Sequence, residues 1–398
     1  MSENSRPANV SFTVSTRMRA VVLGGMATGL VAFLASLMVS PQKGWTSILL
    51  GSYLIVCLGL AGIFIVALFY AVGADWGVPL RRVPEAMASV LPYGAIGLAV
   101  TFAAYPSLYP WVAGSIQGVE MSGFKKLWLN FPFFLVRTAV YIFTWLAFSR
   151  AIRRRSRQQD RDGLTSHTSS NVRTSIAFLV VFGFTFWLAT TDWIMSLDPL
   201  WYSTIFAVYN FSGLFTSGLA MMILLVLWLQ KGPLAEFVRD AHLEDLGKVL
   251  FGFCTFWMYI WFCQYMLIWY ANIPEETAYY VSRMSRFWLP LFLANVVLNW
   301  LAPFCLLLPN SSKRNPRILR AAAMLILAGR FVDLFLMVTP AVYGDKPVAG
   351  VLEVSVAIGV VSLFLWTFIR SMQSAPPVPV NDPRLVACKQ NRASAAAS

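Results

Sequence analysis

Ten long apolar runs alternate with shorter polar connections along the chain, near residues 21–40, 46–73, 86–104, 131–149, 174–193, 203–229, 248–271, 286–308, 318–339 and 350–370. A bilayer core of about 30 Å takes roughly 20 apolar residues per helix, so each run is long enough to span. The second, sixth and seventh exceed that length, which predicts tilt or helix continuing beyond the lipid. The pattern predicts an all-α polytopic membrane protein with about ten transmembrane helices. Between the fifth and sixth runs lies FWLATTDWIMSLDPLWYSTIF, Phe186 to Phe206, with two acids (Asp192, Asp198) and three tryptophans (Trp187, Trp193, Trp201). Tryptophan gathers at the membrane–water interface, where an apolar ring keeps a polar tip wet. The stretch therefore reads as a hairpin at a membrane surface, with its indoles at headgroup depth and its acids in or near water.

Composition agrees. The 398 residues are 58% hydrophobic and only 12% charged, with a mean hydropathy of +0.64, whereas a soluble domain is nearer half apolar and a quarter charged. The formal charge is +13. A basic chain suggests nucleic acid, but the distribution excludes it. With ten spans both termini lie on one side, and that side takes 23 of the 31 Lys and Arg while the other takes six. Basic connections stay cytoplasmic, which predicts cytoplasmic termini in a bacterial inner membrane. The run AIRRRSRQQDRD, within a connection expected over Arg150–Arg173, reads as a topology anchor on anionic membrane lipid. Residues 1–20 are expected to form a polar cytoplasmic tail, and the first apolar run reads as an uncleaved span. Residues 371–398, rich in Pro, Ala and Ser, predict a disordered cytoplasmic tail.

Missing chemistry narrows the function. The two histidines, His167 and His242, fall in cytoplasmic connections, so no pair is available inside the membrane to hold a b-type haem. The five cysteines (Cys57, Cys254, Cys263, Cys305, Cys388) are scattered without a C-x-x-C, so no iron–sulfur or metal site is indicated. No P-loop or dinucleotide fingerprint occurs. The chain is expected to carry no redox cofactor and to have no catalytic residue of its own.

Spans two to five and six to nine read as parallel copies. LWLNFPFFLVRTAVYIF at Leu127 resembles FWLPLFLANVVLNWLAPF at Phe287, with the Trp-Leu pairs 160 residues apart. Copies four spans apart share an orientation, which predicts two parallel four-helix bundles flanked by spans one and ten. Ionisable residues inside spans are costly and mark function by default. In GRFVDLF, Arg330 and Asp333 lie three apart on one helix face and can pair. Arg137, Asp192, Gln264 and Glu353 fall in the same exterior half, and Asn295 and Asn299 share a face. Each alone is explained by interhelical bonding; together they form the graded ladder that proton movement requires. At the cytoplasmic end, His242, Asp245 and Lys248 open span seven as a candidate proton-collecting mouth, or as the polar face of an interfacial helix.

The blocks HLEDLGKVLFGFCTFWMYIWFCQYMLIWYANIPEET, His242 to Thr277, and DWIMSLDPLWYSTIF, Asp192 to Phe206, resemble the second NrfD-like (polysulfide-reductase-anchor-like) membrane subunit of bacterial alternative complex III, a quinol:cytochrome c oxidoreductase. The resemblance runs from about residue 20 to 370. It implies a ten-span subunit of two bundles without its own cofactor, structural and proton-conducting. It also implies haem c and iron–sulfur clusters in partner subunits, a sister NrfD-like subunit that binds quinol, and an associated terminal oxidase. The matching positions are His242, Asp245 and Lys248 at the inner end, and Gln264, Tyr265, Trp269, Tyr270, Asn272, Glu275 and Glu276 at the outer end. The family commonly has a second histidine where this chain has Glu244, which sets a paired-histidine role aside. Two other readings remain open at this point. The chain could itself hold quinol, through Gln264, Tyr265 and Asp333, or it could be a secondary transporter.

Overall fold

The computed structural model describes residues 12–113, 123–344, 350–382 and 384–385, with the backbone of 115–116 and 119–120. Among the described residues, ten helices are long and apolar enough to cross a membrane. They are α1 Thr16–Val39, α2 Pro41–Val72, α3 Arg82–Ala104, α4 Phe131–Asp162, α5 Ser166–Leu197, α6 Phe206–Leu229, α7 Asp240–Ala271, α8 Leu289–Leu307, α9 Pro316–Tyr343 and α10 Val351–Gln373. Several open with proline in the first turn, as in α2, α4 and α9, where the missing N–H has no intrahelical partner to lose. α7 stops at Asn272, whose left-handed backbone (φ 48°) caps it; asparagine tolerates that conformation better than most residues. Among the described residues, strand is confined to a two-residue antiparallel ladder, Ser115–Ile116 with Val119–Glu120.

Two rings of four helices form the body. α2 packs on α3 and α5, and α4 on α5, with only a light contact between α3 and α4; α6 packs on α7 and α9, and α8 on α7 and α9. α2 and α6, the first helices of the two copies, meet at the centre and are the most buried of the ten. This is the paired-bundle arrangement that the sequence repeat predicts. The matched tryptophans agree with it. Each donates its indole N–H to the last helix of its own bundle or the residue after it: Trp128 to Asp192 (3.0 Å), Trp288 to the Gly344 carbonyl (3.0 Å). α1 and α10 act as one flanking unit. They pack on each other and jointly against α2, crossing at Gly29 and Gly359, where any Cβ would collide with the opposite backbone.

Two expectations are corrected at the end of the molecule where α4 meets α5 and α10 ends, the basic end. The connection expected over Arg150–Arg173 is almost wholly helix, because α4 continues to Asp162 and α5 begins at Ser166. Arginine, glutamine and alanine are good helix formers, so helix persists after the apolar run stops. Nor does a disordered tail begin at residue 371. α10 runs to Gln373, and the chain then lies back over the helix ends. Asp382 is buried against Arg81 (2.7 Å), the Asn381 amide donates to the Asp160 carbonyl (2.9 Å), and Val378 and Leu385 are buried. Composition hides this because Asp382 gains its cation only in the tertiary fold. Beneath that strap, Arg82 pairs with Glu85 (2.5 Å) and with Asp160, while Ser156 donates to Glu85 (2.7 Å). The remainder of both expected tails, residues 1–11, 383 and 386–398, lies outside the described residues.

Candidate functional site

The centre of the second bundle holds the most enclosed charge. Arg330 and Asp333 are both fully buried and their side chains pair at 2.6 Å, as their i, i+3 spacing on α9 allows. Asp333 also accepts from the Tyr209 hydroxyl of α6 and from the Asn295 amide of α8 (3.2 Å). Asn299 extends the chain, donating to the Asn295 side chain (2.7 Å) and carbonyl (3.0 Å). A π turn, Val297–Leu301, interrupts α8 at this point; such turns occur frequently at functional sites. Arg330 reaches across to the first bundle. Its guanidinium rests on Gly213 of α6, where a Cβ would overlap it, beside Cys57 and Tyr53 of α2. The Tyr53 hydroxyl donates to Asn210 (3.1 Å). Two guanidinium nitrogens of Arg330, Nε and Nη2, have no hydrogen-bond partner among the described residues.

From Asp333 polar groups continue toward the end opposite the basic end, the far end. Tyr279 and Tyr280, on the short helix Pro274–Arg283, lie within electrostatic range of Tyr209. Tyr279 stacks on Trp201 with centroids 4.1 Å apart. Arg283 lies over the Tyr279 ring at 3.4 Å and donates to the Leu336 (2.8 Å) and Met337 (3.1 Å) carbonyls of α9. Burial pushes both tyrosine hydroxyls above their ordinary range and lowers the Arg283 guanidinium. Asp198, in the connection between α5 and α6, lies within electrostatic range of Arg283. Toward the basic end the chain of polar groups stops. Past Ser217 every buried position of α6 through Leu229 is apolar, as are the buried positions of α9 before Arg330.

The first bundle repeats the theme. Asp192 is fully buried and takes two bonds from Arg137 (2.9 and 2.9 Å), one from Tyr141 (3.0 Å) and one from Trp128 (3.0 Å). Each bundle thus holds one carboxylate on its fourth helix, clamped by a guanidinium and a tyrosine. This corrects the surface-hairpin reading of Phe186–Phe206. Asp192 is not in water, and Trp193 (0% exposed) and Trp201 (4% exposed) are core residues; only Trp187, 46% exposed, faces outward. Hydropathy cannot see this, because the cation that shelters Asp192 lies 55 residues away in sequence.

The remaining candidates separate. Gln264 is buried with both amide atoms lacking hydrogen-bond partners among the described residues, beside Tyr280. Tyr265 stacks on Trp261 (5.9 Å) and meets Tyr280 edge-on, so it belongs to an aromatic wall and makes no bond to Asp333. Trp269 and Tyr270 project outward, 66% and 84% exposed. Glu353 caps its own helix by accepting from the Gly350 N–H (2.8 Å). At the basic end, His242 accepts from the Arg239 N–H (3.1 Å) as an N-terminal cap. Lys248 pairs with Glu244 (2.9 Å) more closely than with Asp245 (3.6 Å). Glu244 in turn holds Arg314 (2.6 Å), so these four residues are an ionic surface ridge, separated from Arg330 by the apolar segment of α6 and α9. Sequence reasoning missed Tyr209, Tyr141 and Tyr53, which resemble ordinary aromatic packers in the linear chain; their one signal is a hydroxyl inside a span. Compared with known proteins, the chain matches no family model and no curated protein.

Proposed function

We propose that this chain is an integral membrane subunit of a quinol:electron-acceptor oxidoreductase of the alternative complex III type, structural and proton-conducting, in the bacterial cytoplasmic membrane with both termini cytoplasmic. Haem c and iron–sulfur clusters sit in partner subunits, quinol is oxidised at a sister NrfD-like subunit, and a terminal oxidase accepts the electrons downstream. The observation that carries this reading is the buried polar chain Asn299–Asn295–Asp333–Tyr209, with Tyr279 and Tyr280 within electrostatic range of Tyr209 toward the far end. A carboxyl that can take up a proton, next to a hydroxyl that both donates and accepts, is the minimum unit of a relay. The apolar segment beyond Ser217 makes it a half-channel from the far end, closed toward the basic end. The exposed Trp269 and Tyr270 support a docked partner at that far end.

A second reading, quinol binding by this chain, is favoured by one feature: Gln264 is buried with its amide unpaired among the described residues, as a group awaiting a carbonyl or hydroxyl would be. Affinity purification from native membranes tests the first reading. Multihaem cytochrome c and iron–sulfur partners should accompany the chain. Recovery of the chain alone, with solute exchange activity in liposomes, would establish a transporter instead. Photoaffinity quinone labelling of the complex separates the two quinol readings, since labelling at Gln264 or Tyr265 assigns the headgroup here.

A further inference from the structure

We infer that the groove between α3 and α4 at the basic end is a binding site for the headgroup of an anionic phospholipid. A cavity of about 590 Å3 opens there, lined by Arg150, Arg153, Arg154, Arg157 and Arg161 of α4 against Ala88 and Pro92 of α3. These arginines recur at three- and four-residue intervals, so they form one stripe along α4. The lining contains no carboxylate. The nearest acids, Glu85 and Asp160, pair with Arg82 and reach Arg153 and Arg157 only through longer-range attraction. Among the described residues, Arg153 and Arg157 bond only to the Ser371 hydroxyl (3.4 and 3.1 Å), and the buried Arg153 Nε has no hydrogen-bond partner. Like charges at this spacing repel, so the stripe calls for an external anion.

The source of that anion follows from position. The apolar run of α4 ends at Ser149, which places the cavity at headgroup depth. The same two helix faces continue into the bilayer as exposed apolar surface, Ile96 and Val100 on α3 and Val136 and Phe143 on α4. Acyl chains fit that track, and a free phosphate has no use for it. From Arg150 to Arg161 the stripe covers about 16 Å at 1.5 Å per residue, longer than one phosphodiester, so a two-phosphate lipid engages it more fully than a one-phosphate lipid.

The test is native mass spectrometry of the full chain in detergent, titrated with diphosphatidylglycerol, phosphatidylglycerol, phosphatidylcholine and inorganic phosphate. Retention of either anionic lipid over phosphatidylcholine is expected. Arg153→Gln with Arg157→Gln should lower retention about tenfold or more, given roughly 1 kcal/mol per basic residue near an anionic surface. Arg150→Gln with Arg154→Gln, which touches no Ser371 bond, should do the same in case the first pair misfolds. Arg155→Gln is the control, because Arg155 bonds to Thr174 (2.5 Å) and does not line the cavity. Equal retention in all variants, equal binding of phosphatidylcholine, or displacement of the lipid by millimolar inorganic phosphate would each overturn the inference.

Discussion

Replacing Asp333 with leucine removes the one carboxylate that holds Arg330. The guanidinium is fully buried, and two of its nitrogens already have no hydrogen-bond partner among the described residues. Stranding a buried charge costs about 3–5 kcal/mol, so Asp333→Leu should unfold the bundle or block assembly. Removing both charges, as Arg330→Met with Asp333→Leu, recovers that loss. It does not recover everything, because Tyr209 and Asn295 also lose the carboxylate they bond to. Interhelical hydrogen bonds in membranes are worth roughly 0.6–1.7 kcal/mol each, so the double variant should remain about 1–3 kcal/mol short of wild type. Adding Tyr209→Phe should return the tyrosine's share. The stability assay is unfolding of the purified chain in mixed detergent micelles. A loss below about 1 kcal/mol for Asp333→Leu alone would show that Arg330 reaches water and would refute the buried pair. Function is read separately in liposomes holding the assembled complex. The double variant should fold yet take up protons poorly during quinol oxidation, and wild-type uptake would refute Asp333 as a relay.

Three further outcomes follow from the same geometry. Gly213→Ala places a Cβ into the Arg330 guanidinium and should cost about 1–3 kcal/mol by overpacking, measured by the same unfolding assay; an unchanged midpoint would mean that α6 and α9 can separate freely. Tyr279 and Tyr280 have hydroxyls raised above their usual value of about 10 by burial, so the folded state holds those protons while the unfolded state loses them. Stability from this source is intact below about pH 10 and falls as pH rises further, and Tyr279→Phe with Tyr280→Phe should shift the alkaline unfolding midpoint upward in a pH titration. Ser166→Cys, at the exposed start of α5, should label with impermeant maleimide only from the cytoplasm, and Thr204→Cys, exposed at the far end, only from outside. The reverse pattern would invert the topology.

The sequence by itself determined the ten spans, the pairing of Arg330 with Asp333 and the parallel repeat. These are local or periodic properties: run length against bilayer thickness, three-residue spacing on a helix, and a matched Trp-Leu pair. It also placed polar groups in one half of the membrane. It could not say which of them meet. Asp192 read as a water-facing acid because its partner, Arg137, is brought to it only when α4 packs on α5. Tyr209 read as a packer because its hydroxyl meets Asp333 across 124 residues of chain. Glu353, His242 and Lys248 read as members of a pathway, whereas the fold spends two of them on helix caps and the third on surface pairs with Glu244 and Asp245. Residues 371–382 read as a loose tail because Pro, Ser and Val carry no periodic signal, and Arg81 and Asp160 anchor them only once the helix ends converge. Where a group's energy depends on a partner distant in sequence, hydropathy and spacing carry no information about it, and the tertiary contact decides whether a buried charge is a cost, a staple or a relay.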